Sequence, residues 1–163
     1  MTASLSNEGL ALSALLSGDA IRVGVEAADW REAVRAAGDA LAAGGATDPA
    51  YTTAMIDTVE ELGPYIVIVP GIALAHARPS PAVHRVGISV VLLATPVAFG
   101  HRQNDPVRLV VGLAAPDDDS HVRALASLAG LLADDATRTA LFAASDPDAV
   151  RQLVSTFEGA TPT

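Results

Sequence analysis

Apolar positions recur along this chain in two rhythms, and the change from one to the other sets out its elements. After Asp29, residues Trp30, Val34, Ala37 and Leu41 return at helical spacing until Gly44–Gly45, which predicts a helix capped by Asp29. A second helix follows at once. Thr47 or Asp48 is its cap candidate, Pro49 suits its first position, Met55, Val59 and Leu62 form its apolar face, and Gly63–Pro64 stop it. Upstream, Leu10–Ser17 reads as a short helix and Ile21–Val25 as a short strand. The rhythm then changes. Tyr65–Val69, Gly87–Ala94 and Val107–Ala114 are near-continuous runs rich in β-branched residues, the pattern of strands covered on both faces, and they are assigned to the centre of a sheet. The last third returns to helical spacing at Ser120–Leu132, Thr137–Ala144 and Asp148–Phe157, each preceded by Asp or Ser cap candidates. Helices alternating with buried strands predict an α/β layer fold, although periodicity does not set the strand order.

Composition narrows this picture. The chain has 163 residues, 50% of them hydrophobic, enough for a single domain with a sizeable core. No repeat, charge block or linker divides it, so residues 1–163 are read as one unit with a core of about 8–157. The formal net charge is −9, and all 10 basic residues are Arg because Lys is absent, which argues against a nucleic-acid partner. Cys is also absent, so thiol chemistry, disulfides and thiolate metal sites are excluded. No basic residue precedes Arg22, as a secretory signal would require, and the longest apolar runs are broken by Pro70, Gly71 and Pro96; a cytoplasmic location is expected. The chain lacks a P-loop, a Gly-x-Gly-x-x-Gly turn and a zinc-helix pair of His, and nothing in it calls for a metal or cofactor.

Among the 4 histidines, His76 and His121 lie where a sheet delivers functional groups. His76 follows the apolar run Tyr65–Leu74, in a segment ended by Pro79 and Pro81. His121 follows the run Val107–Ala115 and Ser120, where a helix begins. Ligands of open α/β sheets bind at strand C-termini, which suggests one pocket for both rings, although spacing alone does not bring them together. A neutral imidazole has a free nitrogen that can attack phosphorus and leave again. Arg78 would balance phosphoryl charge, the helix start at Ser120 would offer N–H groups, and His121 would donate a hydrogen bond. Plainer readings stand beside these: a lone His is more often structural, Arg78 is a solvated charge, and Ser120 merely starts a helix. His84 and His101 are read as exposed, and Asp117-Asp118-Asp119 as helix-capping acids.

Those residues carry a family likeness. The stretch Gly63–Pro79 (GPYIVIVPGIALAHARP), then Val97-Ala98-Phe99-Gly100, Asn104-Asp105-Pro106-Val107, Ala114-Ala115-Pro116-Asp117 and Ser120-His121 resemble the mannitol/fructose-type enzyme IIA proteins of the sugar phosphotransferase system, most closely their ascorbate-type branch. The resemblance covers roughly residues 8 to 157. It implies a mixed β-sheet flanked by helices on both faces, and a phosphocarrier without cofactors. His76 matches the phosphorylated His, and His121 the second His that steadies the phosphoryl group. It also implies HPr as phosphoryl donor, a Cys of a separate enzyme IIB as acceptor, and a membrane enzyme IIC permease downstream. A regulatory enzyme IIA-like module, whose His phosphorylation state controls a protein partner, is the alternative that this likeness leaves open. Where the family usually has Pro before the active His, this chain has Ala75, which implies a freer backbone at His76.

Overall fold

The computed structural model describes residues 11–160, so the predicted helix start at Leu10 and the chain termini lie outside the described residues. In chain order the elements are α1 (Leu12–Leu15), β1 (Leu16–Val25), α2 (Trp30–Ala43), α3 (Pro49–Leu62), a 3-10 turn (Pro64–Ile66), β2 (Val67–Val69), β3 (Ile72–Ala75), β4 (Gly87–Val97), β5 (Val107–Ala114), α4 (Asp118–Ala133), α5 (Asp135–Phe142) and α6 (Pro147–Ala160). The strands form one mixed sheet of order β1-β4-β5-β3-β2. β1 runs parallel to β4, β4 antiparallel to β5, β5 parallel to β3 and β3 antiparallel to β2.

Strand residues alternate between two cores because successive side chains leave opposite faces of a pleated sheet. Ala73, Ala75, Val110 and Ala114 pack with Val34, Leu41, Tyr51 and Met55 of α2 and α3. Ile72, Leu74, Leu109, Val111 and Leu113 pack with Leu128, Leu132, Leu141 and Val154 of α4, α5 and α6. The sheet is thus covered on both faces, as the uninterrupted apolar runs require. Among the described residues no helix is long and apolar enough to cross a membrane.

The sequence expectations fail where Pro and Gly bend the chain. Tyr65–Val69 is not a central strand: Pro64–Ile66 is a 3-10 turn, and Val67–Val69 is the sheet's edge, with Ile68 43% exposed. The inner strand is Ile72–Ala75, reached through a turn in which Gly71 takes φ 80°. Leu12–Leu15 is a single helical turn running straight into β1, which begins at Leu16 rather than Ile21. Asp29 caps α2 through the Glu32 N–H as predicted; Asp48 occupies the N-cap position of α3, but its side chain makes no cap hydrogen bond there. Thr47 bridges to Val83, and the Asp48 carboxylate instead meets His84 Nε2 at 2.8 Å.

Candidate functional site

The strand alternation aims His76. Ala75 and Ala77 belong to the core beneath α2 and α3, and Ile72 and Leu74 to the opposite core, so His76 continues the series that faces α4. Ala75 itself ends β3, fully buried and in register with Gly112 of β5. The backbone before His76 is therefore paired in the ladder although Ala, not Pro, precedes it.

β3 and β5 are parallel neighbours, so they end at the same edge of the sheet. Beyond β5 the segment Ala115-Pro116-Asp117 crosses to α4, whose first turn carries His121. Parallel pairing thereby brings together two imidazoles 45 positions apart in sequence, with ring centroids 5.4 Å apart and planes tilted 54°. They open on a cleft of about 660 Å³. Its far wall is a polar stripe of α3, where Asp57, Thr58 and Glu61 share one helix face; Tyr65, Arg78 and Asp118 complete the rim.

The His76 ring has a defined tautomer. Nδ1 lies 3.2 Å from the Leu74 carbonyl oxygen, which can only accept, so Nδ1 carries the hydrogen and Nε2 keeps its lone pair. Burial lowers the His76 pKa below its ordinary 6.5; the Leu74 carbonyl opposes that shift, and the nearby His121 adds to it. The neutral, nucleophilic form therefore prevails at neutral pH. Tyr65 stands edge-on to His76, centroids 6.1 Å apart, and its own ionisation is pushed up by burial. His121 Nδ1 is buried without a hydrogen-bond partner among the described residues.

The remaining site expectations divide. Arg78 is exposed, lines the cleft and makes no ion pair among the described residues. Ser120 does not line the cleft. Its N–H donates to Asp117 Oδ1 at 2.8 Å, and its hydroxyl donates to Asp117 as well, at 2.9 Å from Oδ1. The His121 N–H is also taken, by the Asp117 carbonyl at 3.1 Å. The helix start expected to receive an anion is thus capped by the chain's own carboxylate, whose pKa these bonds, first that from the Ser120 N–H, hold below 3.8. His84 is exposed as expected, but His101 is partly buried, its Nδ1 accepting from the Gln103 and Asn104 N–H groups. Among the described residues no group of three or more His, Cys, Asp or Glu is arranged to hold a metal ion.

Sequence reasoning missed Tyr65 and the α3 stripe. Tyr65 was absorbed into a supposed strand. The stripe had a legible signal, since Ala54, Asp57, Thr58 and Glu61 recur at helical spacing beside the apolar face.

Comparison with known proteins bears on the fold and the family. Residues 14–156 match the family described as the phosphoenolpyruvate-dependent sugar phosphotransferase system, EIIA 2. The "Ascorbate-specific PTS system EIIA component" of Salmonella choleraesuis (strain SC-B67) is 37% identical over 141 residues, covering 86% of this chain and 92% of that protein. The solution structure of the mannitol-specific cryptic phosphotransferase enzyme IIA CmtB from Escherichia coli superposes with a TM-score of 0.81 at 31% identity, covering 90% of this chain and 99% of that one. A complex of enzyme IIAMTL and phosphorylated enzyme IIBMTL from Escherichia coli contains a chain that superposes with a TM-score of 0.74 at 31% identity, covering 85% and 95%. The protein with this paired-imidazole cleft belongs to the EIIA 2 family of the phosphoenolpyruvate-dependent sugar phosphotransferase system.

Proposed function

We propose that the protein accepts a phosphoryl group from phospho-HPr on Nε2 of His76 and passes it to a Cys of a separate enzyme IIB, which serves a membrane enzyme IIC permease in ascorbate uptake. The observation that carries this reading is the His76 ring itself: Nδ1 turned to the Leu74 carbonyl, a pKa lowered by burial, and a second imidazole beside it, 5.4 Å between centroids, on the same open cleft. The choice of ascorbate follows the name of the 37% identical relative. The choice of an enzyme IIB acceptor follows the mannitol complex.

In the forward step the Nε2 lone pair attacks phosphorus in line. The new N–P bond forms as the donor's N–P bond breaks, and the electron pair returns to the donor imidazole. Phosphorylation draws electron density from the His76 ring, so the Nδ1–H becomes more positive and its bond to the Leu74 carbonyl stronger. His121 donates to a phosphoryl oxygen, and Arg78 offsets charge from the rim. The carboxylates of Asp57, Glu61 and Asp118 outnumber the Arg78 guanidinium around the cleft, which suits a group that must leave again. Leu62, Tyr65, Ile68 and Val122 are the exposed large hydrophobics among the described residues. Leu62 and Tyr65 line the cleft and Val122 adjoins His121, as a face used for docking proteins requires.

The test is incubation with HPr, the phosphoenolpyruvate-driven first enzyme and phosphoenolpyruvate. One acid-labile phosphate per chain is expected, absent from His76→Ala and chased by an enzyme IIB. Label retained in that variant would defeat the assignment, and label that reaches no enzyme IIB would remove the transport role.

A further inference from the structure

Tyr51 is fully buried on α3, outside the cleft, yet its hydroxyl sits at the one place where both imidazole-bearing segments leave the sheet. β3 pairs with β5 as far as Ala75–Gly112. Ala77 lies beyond that pairing, directly after His76. Its N–H donates to the Tyr51 oxygen at 2.9 Å. The Tyr51 hydroxyl oxygen lies 2.8 Å from the Leu113 carbonyl oxygen and 3.0 Å from the Ala77 carbonyl oxygen, so its single hydrogen donates to one or the other. A phenol thus replaces the strand-to-strand bonds that the ladder no longer supplies.

We infer that Tyr51 is a positioning residue for the proposed phosphoryl relay, its hydroxyl tying the segment that carries His76 to the end of the strand that leads to His121. The chemistry is reciprocal. A hydroxyl at 0% exposure is costly unless bonded, and so are the backbone groups of Ala77, which is 4% exposed. Each satisfies the other. Burial also pushes the Tyr51 ionisation up to about 12, so the clamp stays a neutral donor wherever the protein is folded. Tyr51 shares α3 with Asp57, Thr58 and Glu61, so one helix both forms the far wall of the cleft and fixes the strand exit facing it.

The clamp rests on the phosphoryl-relay reading only for its effect on rate; its effect on the His76 ring does not. Tyr51→Phe removes the hydroxyl and keeps the packed ring. Ser89→Ala is the matched control, since Ser89 is also fully buried and its hydroxyl donates to the Ala37 carbonyl at 2.8 Å, joining β4 to α2. NMR titration of the His76 ring in Tyr51→Phe is expected to move upward towards 6.5, because burial is the main cause of its depression and a loosened exit admits water. Phosphorylation by phospho-HPr is expected to slow, by up to roughly 100-fold, the cost of misplacing a reacting group by about 1 Å. Ser89→Ala should do neither. An unchanged His76 titration in Tyr51→Phe, or an equal shift in both variants, overturns the inference whatever happens to the rate. Hydrogen exchange in the unsubstituted protein gives a check that needs no variant: the Ala77 amide should be protected although it lies outside the ladder, and rapid exchange there overturns the clamp. A protein that never accepts phosphate would defeat the relay while leaving the titration and exchange results to decide on Tyr51.

Discussion

Replacing His121 by Ala separates a hydrogen bond used in transfer from one used in folding. In the free protein the His121 ring contributes little to stability through polar contacts, because its Nδ1 is buried without a partner among the described residues. Removing an unsatisfied polar atom offsets part of the lost packing, so the stability change is expected to stay within about 1 kcal/mol. The phosphoryl-transfer step is different. Hydrogen bonds to charged acceptors contribute about 1.5–3 kcal/mol, and the open cleft places this one at the lower end. A loss of about 1.5–2 kcal/mol in the transition state slows phosphorylation roughly 10- to 30-fold. Quench-flow of phosphoryl transfer from phospho-HPr, at concentrations giving kcat and KM separately, reads the first quantity, and urea unfolding reads the second. His121→Gln, which keeps an N–H donor, should recover part of the rate. A rate in His121→Ala equal to that of the parent would refute the reasoning. So would a slowdown matched by unfolding and not relieved by Gln.

The other expected outcomes concern charge. Phosphorylation rates should fall in acid with a midpoint below 6.5, since protonated His76 has no lone pair at Nε2 and its folded pKa is lowered; a midpoint at or above 6.5 in the pH-rate profile would contradict the buried-ring account. The same depression means that the unfolded chain binds this proton first, so His76 costs stability as pH falls through 6.5 towards its folded value and costs none above; denaturant titrations of the parent and His76→Gln should converge above that window. Asp117→Ala should lower the melting temperature at neutral pH. Because the Asp117 pKa is lowered on folding, the difference is present above 3.8 and should close as pH falls through the folded value. Arg78→Gln should slow phosphorylation only about threefold, and high salt should erase the difference, since the guanidinium is exposed and screened; a salt-independent loss would point to direct bonding.

Much of this was legible in the sequence, and the failures have physical reasons. β4 and β5 were found because their apolar runs are unbroken, Val107–Ala114 to the residue. β3 was missed because Pro70 and Gly71 fold one apolar run into a hairpin, leaving a four-residue strand that has no period of its own. His76 and His121 stood out as polar residues just beyond buried strands, but their proximity depended on β3 and β5 being parallel neighbours, which no spacing reveals. Ser120 was ambiguous in the sequence because a hydroxyl at a helix start serves an anion or an internal cap equally well, and in the structure it bonds Asp117 three residues earlier. Tyr51 was not singled out in the sequence, where it lies one turn from Met55; that its hydroxyl meets Ala77, 26 positions onward, is a fact of packing alone.

The central claim is regiochemical: the phosphoryl group bonds to Nε2 of His76 while Nδ1 keeps its hydrogen on the Leu74 carbonyl. The direct measurement is nitrogen NMR of histidine-labelled protein before and after phosphorylation by phospho-HPr. The account predicts phosphorus coupling at Nε2 of His76, a protonated Nδ1 in both states, and no coupling at His121. Phosphorus coupled to Nδ1 of His76, or to either nitrogen of His121, would contradict it.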